Sequence, residues 1–411
     1  MRIWFRYLLG ASIGVALGLF LPLAAGDTAA LLMSLTGLVL SLGRILLFPL
    51  LFFAVIIAID ELHSDGTLLK TGGATLFWTI LTTVTATVGG LLAIVLLSPQ
   101  RIPPMVQEGR PSAAPSILME LQRGLPPNMF RIFVLDNSAL AGILLIGLLV
   151  GVNLRFDRGV TSPVTLVADS ANRIFYRLNS MLVEVLGLLL VIPSAAVVVQ
   201  MREVTELQLF GQFLLVVLVA AIFIAVILYP AVIFLLDRRG ARPLKWLASM
   251  GAPALAALTT GDNYFALGTM VRTGKEDMDI HRRIGGTVIP FVALYGRAGS
   301  AMVSMAGFLL VIRSYTALDI GVQDLVLLAL AAVLYSFLLA RTPAGGVLLM
   351  LSFLATRYGR GMEESYLILL PVMPALERIG AVLDIMTVGF ITRLVGGPRP
   401  APGSAHKAAY P

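Results

Sequence analysis

The chain contains no cysteine, which excludes disulfides, thiolate metal sites and cysteine nucleophiles. Histidine is nearly absent too: His63, His281 and His406 lie far apart, and none stands in a zinc-protease spacing. Charge is scarce. Only 13% of the 411 residues are Asp, Glu, Lys or Arg, about half of the ~25% usual in soluble domains, and 58% are hydrophobic. A chain so balanced cannot cover its own surface with polar groups, so a soluble enzyme, a secreted disulfide scaffold and a disordered protein are excluded. The net charge of +7, from 30 basic and 23 acidic residues, is one that nucleic-acid binders share. In a membrane protein it reflects basic cytoplasmic loops, and no nucleic-acid partner is expected. What the chain has in abundance is long apolar runs, so its first partner is the lipid bilayer.

Crossing a hydrocarbon layer of roughly 30 Å takes about 20 apolar residues. Candidate spans run from Tyr7 to Ala25, Ala30 to Ile59, Thr71 to Gln100, Ile132 to Leu154, Arg177 to Gln200 and Leu207 to Leu236. The first follows Arg2 and Arg6, is too long for a signal peptide and reads as a retained span. Arg101 to Pro127, rich in proline and charge, reads as a long loop. Positive charge near span ends sets orientation. It gathers in Asp237 to Lys245, in Arg272 to Arg283 and in the tail at Arg393, Arg399 and Lys407. Both termini are therefore expected in the cytoplasm of a multi-pass protein of the cell (inner) membrane, with an even number of crossings.

The second half does not read as simple spans. Trp246 to Val271 is apolar except for Thr259-Thr260-Gly261-Asp262-Asn263, which leaves two arms of about 13 residues. Each arm is roughly 20 Å long as helix, too short to cross. Leu325 to Thr356 repeats the design around Arg341-Thr342-Pro343-Ala344-Gly345-Gly346. After each comes a long helix with charge near its centre: Ile284 to Ile312 with Arg297, and Met362 to Leu394 with Glu377 and Asp384. The expectation is an all-α integral membrane fold of eight transmembrane helices and two re-entrant hairpins, the first entering from inside and the second from outside. Two ordinary spans kinked at glycine and proline are the plainer alternative; ten crossings are also even. Paired interrupted segments point to a secondary transporter's binding site. Non-helical backbone at membrane depth is tolerated only where protein buries it or water reaches it, so both tips are expected at a shared polar cavity.

A charge at the centre of a span costs roughly 2.5–3.5 kcal/mol on insertion scales, so such residues face a cavity or a partner. Glu377, Gly380, Ala381 and Asp384 follow the i, i+3, i+4, i+7 spacing of one helix face. Two carboxylates thus flank a patch without side-chain bulk, where a solute fits. A static ion pair, for instance Glu377 with Arg297, is the plainer reading. Arg297 lies in Tyr295-Gly296-Arg297-Ala298-Gly299-Ser300, where two glycines let a helix unwind. Arg341 and Asp262, at opposite tips, are placed to pair when both gates are shut. Arg44 and Glu184 read as structural or interfacial.

Several stretches bring a family into view: Leu125-Pro126-Pro127-Asn128 opening the fourth span, Ile192-Pro193-Ser194 in the fifth, Val288-Ile289-Pro290 before the broken seventh, Thr342-Pro343-Ala344-Gly345-Gly346 in the second hairpin and Leu370-Pro371-Val372-Met373-Pro374 before the eighth. In these and in its order of spans and hairpins the chain resembles the dicarboxylate/amino acid:cation symporters, the glutamate-transporter fold. The departures fall on the chemistry. The serine-rich first tip is Thr260-Gly261-Asp262-Asn263 here, and the Asn-Met-Asp-Gly-Thr motif is Gly296-Arg297-Ala298-Gly299-Ser300. In the eighth helix Glu377 falls at a family aspartate, and Gly380 and Ala381 replace the Arg-Thr pair that receives substrate. Asp384 replaces the asparagine that binds the amino acid backbone, and Val388 the last sodium-binding aspartate.

The resemblance implies inverted repeats, a homotrimer and an elevator-type symporter of a small organic solute, an amino acid or dicarboxylate. Spans one, two, four and five form a scaffold, spans three and six go with the transport domain, and the division is 1–236, a transport core 237–395 and a disordered tail 396–411. The candidate substrate-binding residues are Thr260, Gly261, Asp262, Asn263, Arg297, Arg341, Thr342, Pro343, Ala344, Gly345, Glu377, Gly380, Ala381 and Asp384. Of these Arg297 and Arg341 are expected to meet an anion, because a guanidinium binds a carboxylate bidentately, and Asp384 an amine. The missing sodium ligands put proton coupling through Glu377 or Asp384 beside sodium coupling. A candidate sodium position comprises Gly296, Gly299, Ser300 and Asp384, and no other cofactor is expected. An uncoupled anion channel, or a degenerate homologue that binds a ligand without moving it, are the alternatives; an enzyme is not.

Overall fold

The computed structural model describes residues 3–21, 26–103, 140–204, 207–236, 242–316 and 321–396. Most of the proline-rich loop, the Leu125–Asn128 stretch, the start of the fourth span and the tail from 397 onward lie outside the described residues. Within them every regular element is helical. Among the described residues eight helical stretches are long and apolar enough to cross a membrane, and seven of these coincide with predicted spans. The eighth is Val322–Arg341, which the sequence assigns to the first arm of the second hairpin. The fourth predicted span appears as the shorter helix Leu140–Asn153.

In the first half the helices are α1 (Ile3–Phe20), α2 (Gly26–Arg44), α3 (Leu47–Ser64), α4 (Leu68–Leu97), α5 (Leu140–Asn153), α6 (Arg158–Leu189), α7 (Val191–Glu203) and α8 (Leu207–Leu236). Two predicted spans are broken. The second divides at residues 45–46, just after Arg44, and Pro49 sits in the first turn of α3. The fifth divides at Leu190, with Pro193 in the first turn of α7. Proline lacks the N–H that continues a helix but fits a first turn, where that donor has no partner anyway. Along α1, a Cβ added at Gly10, Gly14 or Gly18 would strike the backbone of Gly187, Val191 or Ala195. Small residues four apart let helices approach closely when apolar burial against lipid gains nothing.

The second half contains α9 (Gly251–Thr260), α10 (Asn263–Glu276), α11 (Arg282–Tyr295), α12 (Ala298–Tyr315), α13 (Val322–Arg341), α14 (Gly346–Tyr358) and α15 (Met373–Gly396). Helix α9 ends on Gly261 at φ +67°, a left-handed C-cap that glycine adopts without Cβ strain. Its chain turns back into α10, and the two arms pack on each other. At the centre stands α12, where every residue from Ala298 to Ile312 is buried among α4, α13, α14 and α15. The face α4 turns inward is a threonine ladder. Thr75, Thr79, Thr83 and Thr87 each donate to the carbonyl four residues back, at 2.7 to 2.8 Å. That satisfies each hydroxyl within its own helix, so the ladder packs as if apolar.

Candidate functional site

Three helices begin at one place: α10, α12 and α14. A helix start exposes unpaired N–H groups and the positive end of the helix dipole. Each of these three starts is met by a carboxylate. Asp262 is the N-cap of α10 and accepts from the Phe265 N–H at 2.9 Å. Asp384, reaching across from α15, accepts from the N–H groups of Gly299 and Ser300 at 2.7 and 3.0 Å. Glu377, two turns earlier on α15, accepts from the Leu348 N–H at 2.9 Å.

Asp384 is the most heavily engaged group. Its second oxygen also receives the Ser300 hydroxyl at 2.7 Å, the Asn263 side-chain amide at 3.1 Å and the Arg297 guanidinium at 3.5 Å. Arg297, 2% exposed, also donates to the Thr342 carbonyl in the second break. The expected partners therefore change. Arg297 pairs with Asp384, whereas Glu377 caps α14. Asp262 pairs with Arg44 across from α2, where Arg341 was the expected partner. The physical reason is the break at residues 45–46, which puts Arg44 at a helix end facing the first tip.

The two tips touch. The Asn263 N–H donates to the Pro343 carbonyl at 3.0 Å, and the Tyr264 hydroxyl to the Ala340 carbonyl at 2.6 Å. Arg44 meets Asp262, Arg297 meets Thr342 and Arg341 directly precedes Thr342, so all three arginines border the contact. Thr260 closes its own turn, donating to the Ala256 carbonyl at 2.6 Å and accepting from the Asp262 N–H at 3.2 Å. Thr342 does likewise, donating to Leu339 at 2.8 Å. Ala344 is the exposed apex, and Gly345, at φ +80°, opens α14. Gly380 and Ala381 are buried on α15. A Cβ on Gly299 would collide with the Gly380 carbonyl, so the two backbones are in direct contact. Gly296 ends α11 beside Arg297.

Apart from Asp262 Oδ2, which meets Arg44, four buried polar atoms near this contact have no hydrogen-bond partner among the described residues: Nε of Arg44, Arg297 and Arg378, and Oδ1 of Asn263. Buried groups of this kind call for a ligand, water or ion. Arg378 is absent from the sequence-based set. It donates to the Pro374 carbonyl at 2.6 Å, and its Cγ stands 3.4 Å from where a Cβ on Gly261 would lie. The signal was a charge inside an apolar helix, next to Glu377 but about 100° round from it. Tyr264 was missed as well, because nothing in its neighbourhood distinguishes it from a core aromatic.

Among the described residues no cluster of three or more His, Cys, Asp or Glu side chains forms a metal site. At the candidate sodium position the N–H groups of Gly299 and Ser300 face Asp384. Those two amides present hydrogens there, so they are not the groups that would hold a cation; the oxygen of the Asp384 carboxylate already accepts from the Ser300 hydroxyl as well.

The model of one family, the sodium:dicarboxylate symporter family, matches residues 3–397, nearly the whole chain. A comparison with curated proteins finds no match. The chain belongs to the sodium:dicarboxylate symporter family and is a membrane transporter.

Proposed function

We propose that this family member is a secondary active symporter that closes its two helix breaks around a small organic solute, an amino acid or a dicarboxylate. One arrangement carries the reading. The break at 261–263 and the break at 342–345 meet through Asn263 and Pro343, directly over Arg297 and Asp384. Broken helices whose positive ends converge on one point are how transporters of this type hold a charged solute.

The unpartnered Arg297 Nε and Asn263 Oδ1 supply one donor and one acceptor to the solute, with Arg341 and Arg378 adding positive charge for a carboxylate. Asp384, whose oxygens are already taken by five protein donors, holds the site together, and an amine reaches it only by displacing one of them. Glu377 is the proton carrier in this reading. Once protonated it accepts poorly from the Leu348 N–H, so α14 loosens and the second tip opens. Helices α1–α3 and α5–α7 form the scaffold of a homotrimer in the cell (inner) membrane, with both termini cytoplasmic. The rest slides against it as the transport unit, with the second hairpin as outer gate.

The test is the melting temperature of the purified protein with aspartate, glutamate, dicarboxylates and neutral amino acids, in sodium and in choline at two pH values. A ligand at 100 times its dissociation constant stabilises by about 2.7 kcal/mol. A sodium-dependent shift with an acidic solute, matched by uptake into proteoliposomes, is the expected result. Binding without uptake, or current without uptake, would replace this reading by a sensor or a channel.

A further inference from the structure

A cavity of about 220 Å³ lies away from the tips, at the ends of α3, α6, α10 and α11. Its floor is apolar, made by Leu50, Ala54 and Ile289, and its rim carries Arg173, Lys275 and Arg282. The carboxylates that partner these cations stand behind them. Asp169 pairs with Arg173 and with Arg282, and Glu61 with Arg282, yet neither lines the cavity. Lys275 rests on the face of Tyr176, 3.6 Å from the ring centroid. Among the described residues it has no carboxylate within ion-pair distance.

The arrangement follows the bilayer. Arg282 opens a helix able to cross a membrane, and α3 ends nearby in Asp60, Glu61 and Ser64. The cationic rim therefore stands at headgroup level and the apolar floor at the level of the acyl chains. A free inorganic anion would use the rim and leave the floor unfilled, whereas a neutral lipid would fill the floor and leave Lys275 without a counter-charge.

We propose that this cavity binds an anionic phospholipid of the adjacent leaflet, its phosphate between Arg173, Lys275 and Arg282 and the start of a chain on Leu50, Ala54 and Ile289. The volume suits a headgroup with its first methylenes, the rest of the chain lying in the bilayer. Because α3 and α6 line one side and α10 and α11 the other, the lipid also bridges two bodies. On the transport reading above it fastens the moving unit to the scaffold in this conformation.

The binding test needs no transport, so its failure leaves the function reading standing. The full-length protein in a neutral detergent is titrated with dioctanoyl phosphatidylglycerol, dioctanoyl phosphatidylcholine and glycerol 3-phosphate, and its melting temperature is followed. The phosphatidylglycerol alone should raise it saturably, and Lys275→Gln should weaken half-saturation at least tenfold. If that variant does not fold, Arg173→Gln, at an exposed side chain, takes its place with a smaller expected loss. An equal shift with phosphatidylcholine, an equal shift with glycerol 3-phosphate, no shift, or no change in the variants would each overturn the proposal.

Discussion

The two breaks share a design but are held in opposite ways. At the first, every residue from Thr259 to Asn263 is buried, and Asp262 is gripped by its own helix and by Arg44. At the second, Arg341, Thr342, Pro343 and Gly345 are half-buried and Ala344 is exposed. Its ties run through backbone carbonyls, from Arg297 to Thr342 and from Asn263 to Pro343, and through Glu377 on Leu348. A tip anchored by a buried ion pair resists opening. One held by a few hydrogen bonds near solvent opens at a cost of only about 0.5–1.5 kcal/mol for each bond exchanged with water. On the transport reading proposed above, the difference assigns the opening motion to the second tip.

The largest effect should come from removing what both tips share. Asp384→Ala leaves the Arg297 guanidinium buried without its carboxylate and uncaps α12, which should cost about 3–5 kcal/mol. The readout is the loss of a cooperative melt or of monodispersity. Asp384→Asn, which still accepts from Gly299 and Ser300, should lose distinctly less.

The next effect sharpens the contrast. Arg44→Ala strands Asp262, a cost on the order of 2 kcal/mol, and should make the first tip behave like the second. Since the native chain has no cysteine, a single Thr260→Cys reports this directly. Maleimide labelling should be slow in the parent and at least tenfold faster with Arg44→Ala added. Ala344→Cys should label quickly in both. Equal rates at positions 260 and 344 in the parent would end the distinction.

The smallest effect belongs to the outer tip. Glu377→Leu removes the cap on α14, worth about 1 kcal/mol, and should speed labelling at position 344 severalfold without changing position 260. Glu377→Gln keeps an acceptor oxygen, so the tip should stay closed, while pH-dependent uptake should disappear.

Much of this organisation was legible in the sequence because breaks in apolar runs have few innocent explanations. Gly261-Asp262 and Pro343-Ala344-Gly345 announce themselves, as do Arg297 and the acids of α15. The partner assignments were not legible. Spacing placed Glu377 and Asp384 on one helix face, but two residues a helical pitch or two apart can still face different neighbours, and here they cap different helices. Arg44 read only as structural or interfacial, and its pairing with Asp262 depends on a kink at residues 45–46 that Pro49 only hints at. Arg378 sat one residue from Glu377 and off the face that drew attention.

The three carboxylates at the three helix starts have a consequence for the return stroke. A carrier that brings a solute one way must come back without it, and an unoccupied pocket with bare positive poles would be stranded at the outer face. This pocket carries its own counter-ions, one to each pole, so the poles are not bare when no solute is bound. On the transport reading proposed above, a vacant carrier can then reset, which favours net accumulation of cargo over obligatory one-for-one exchange.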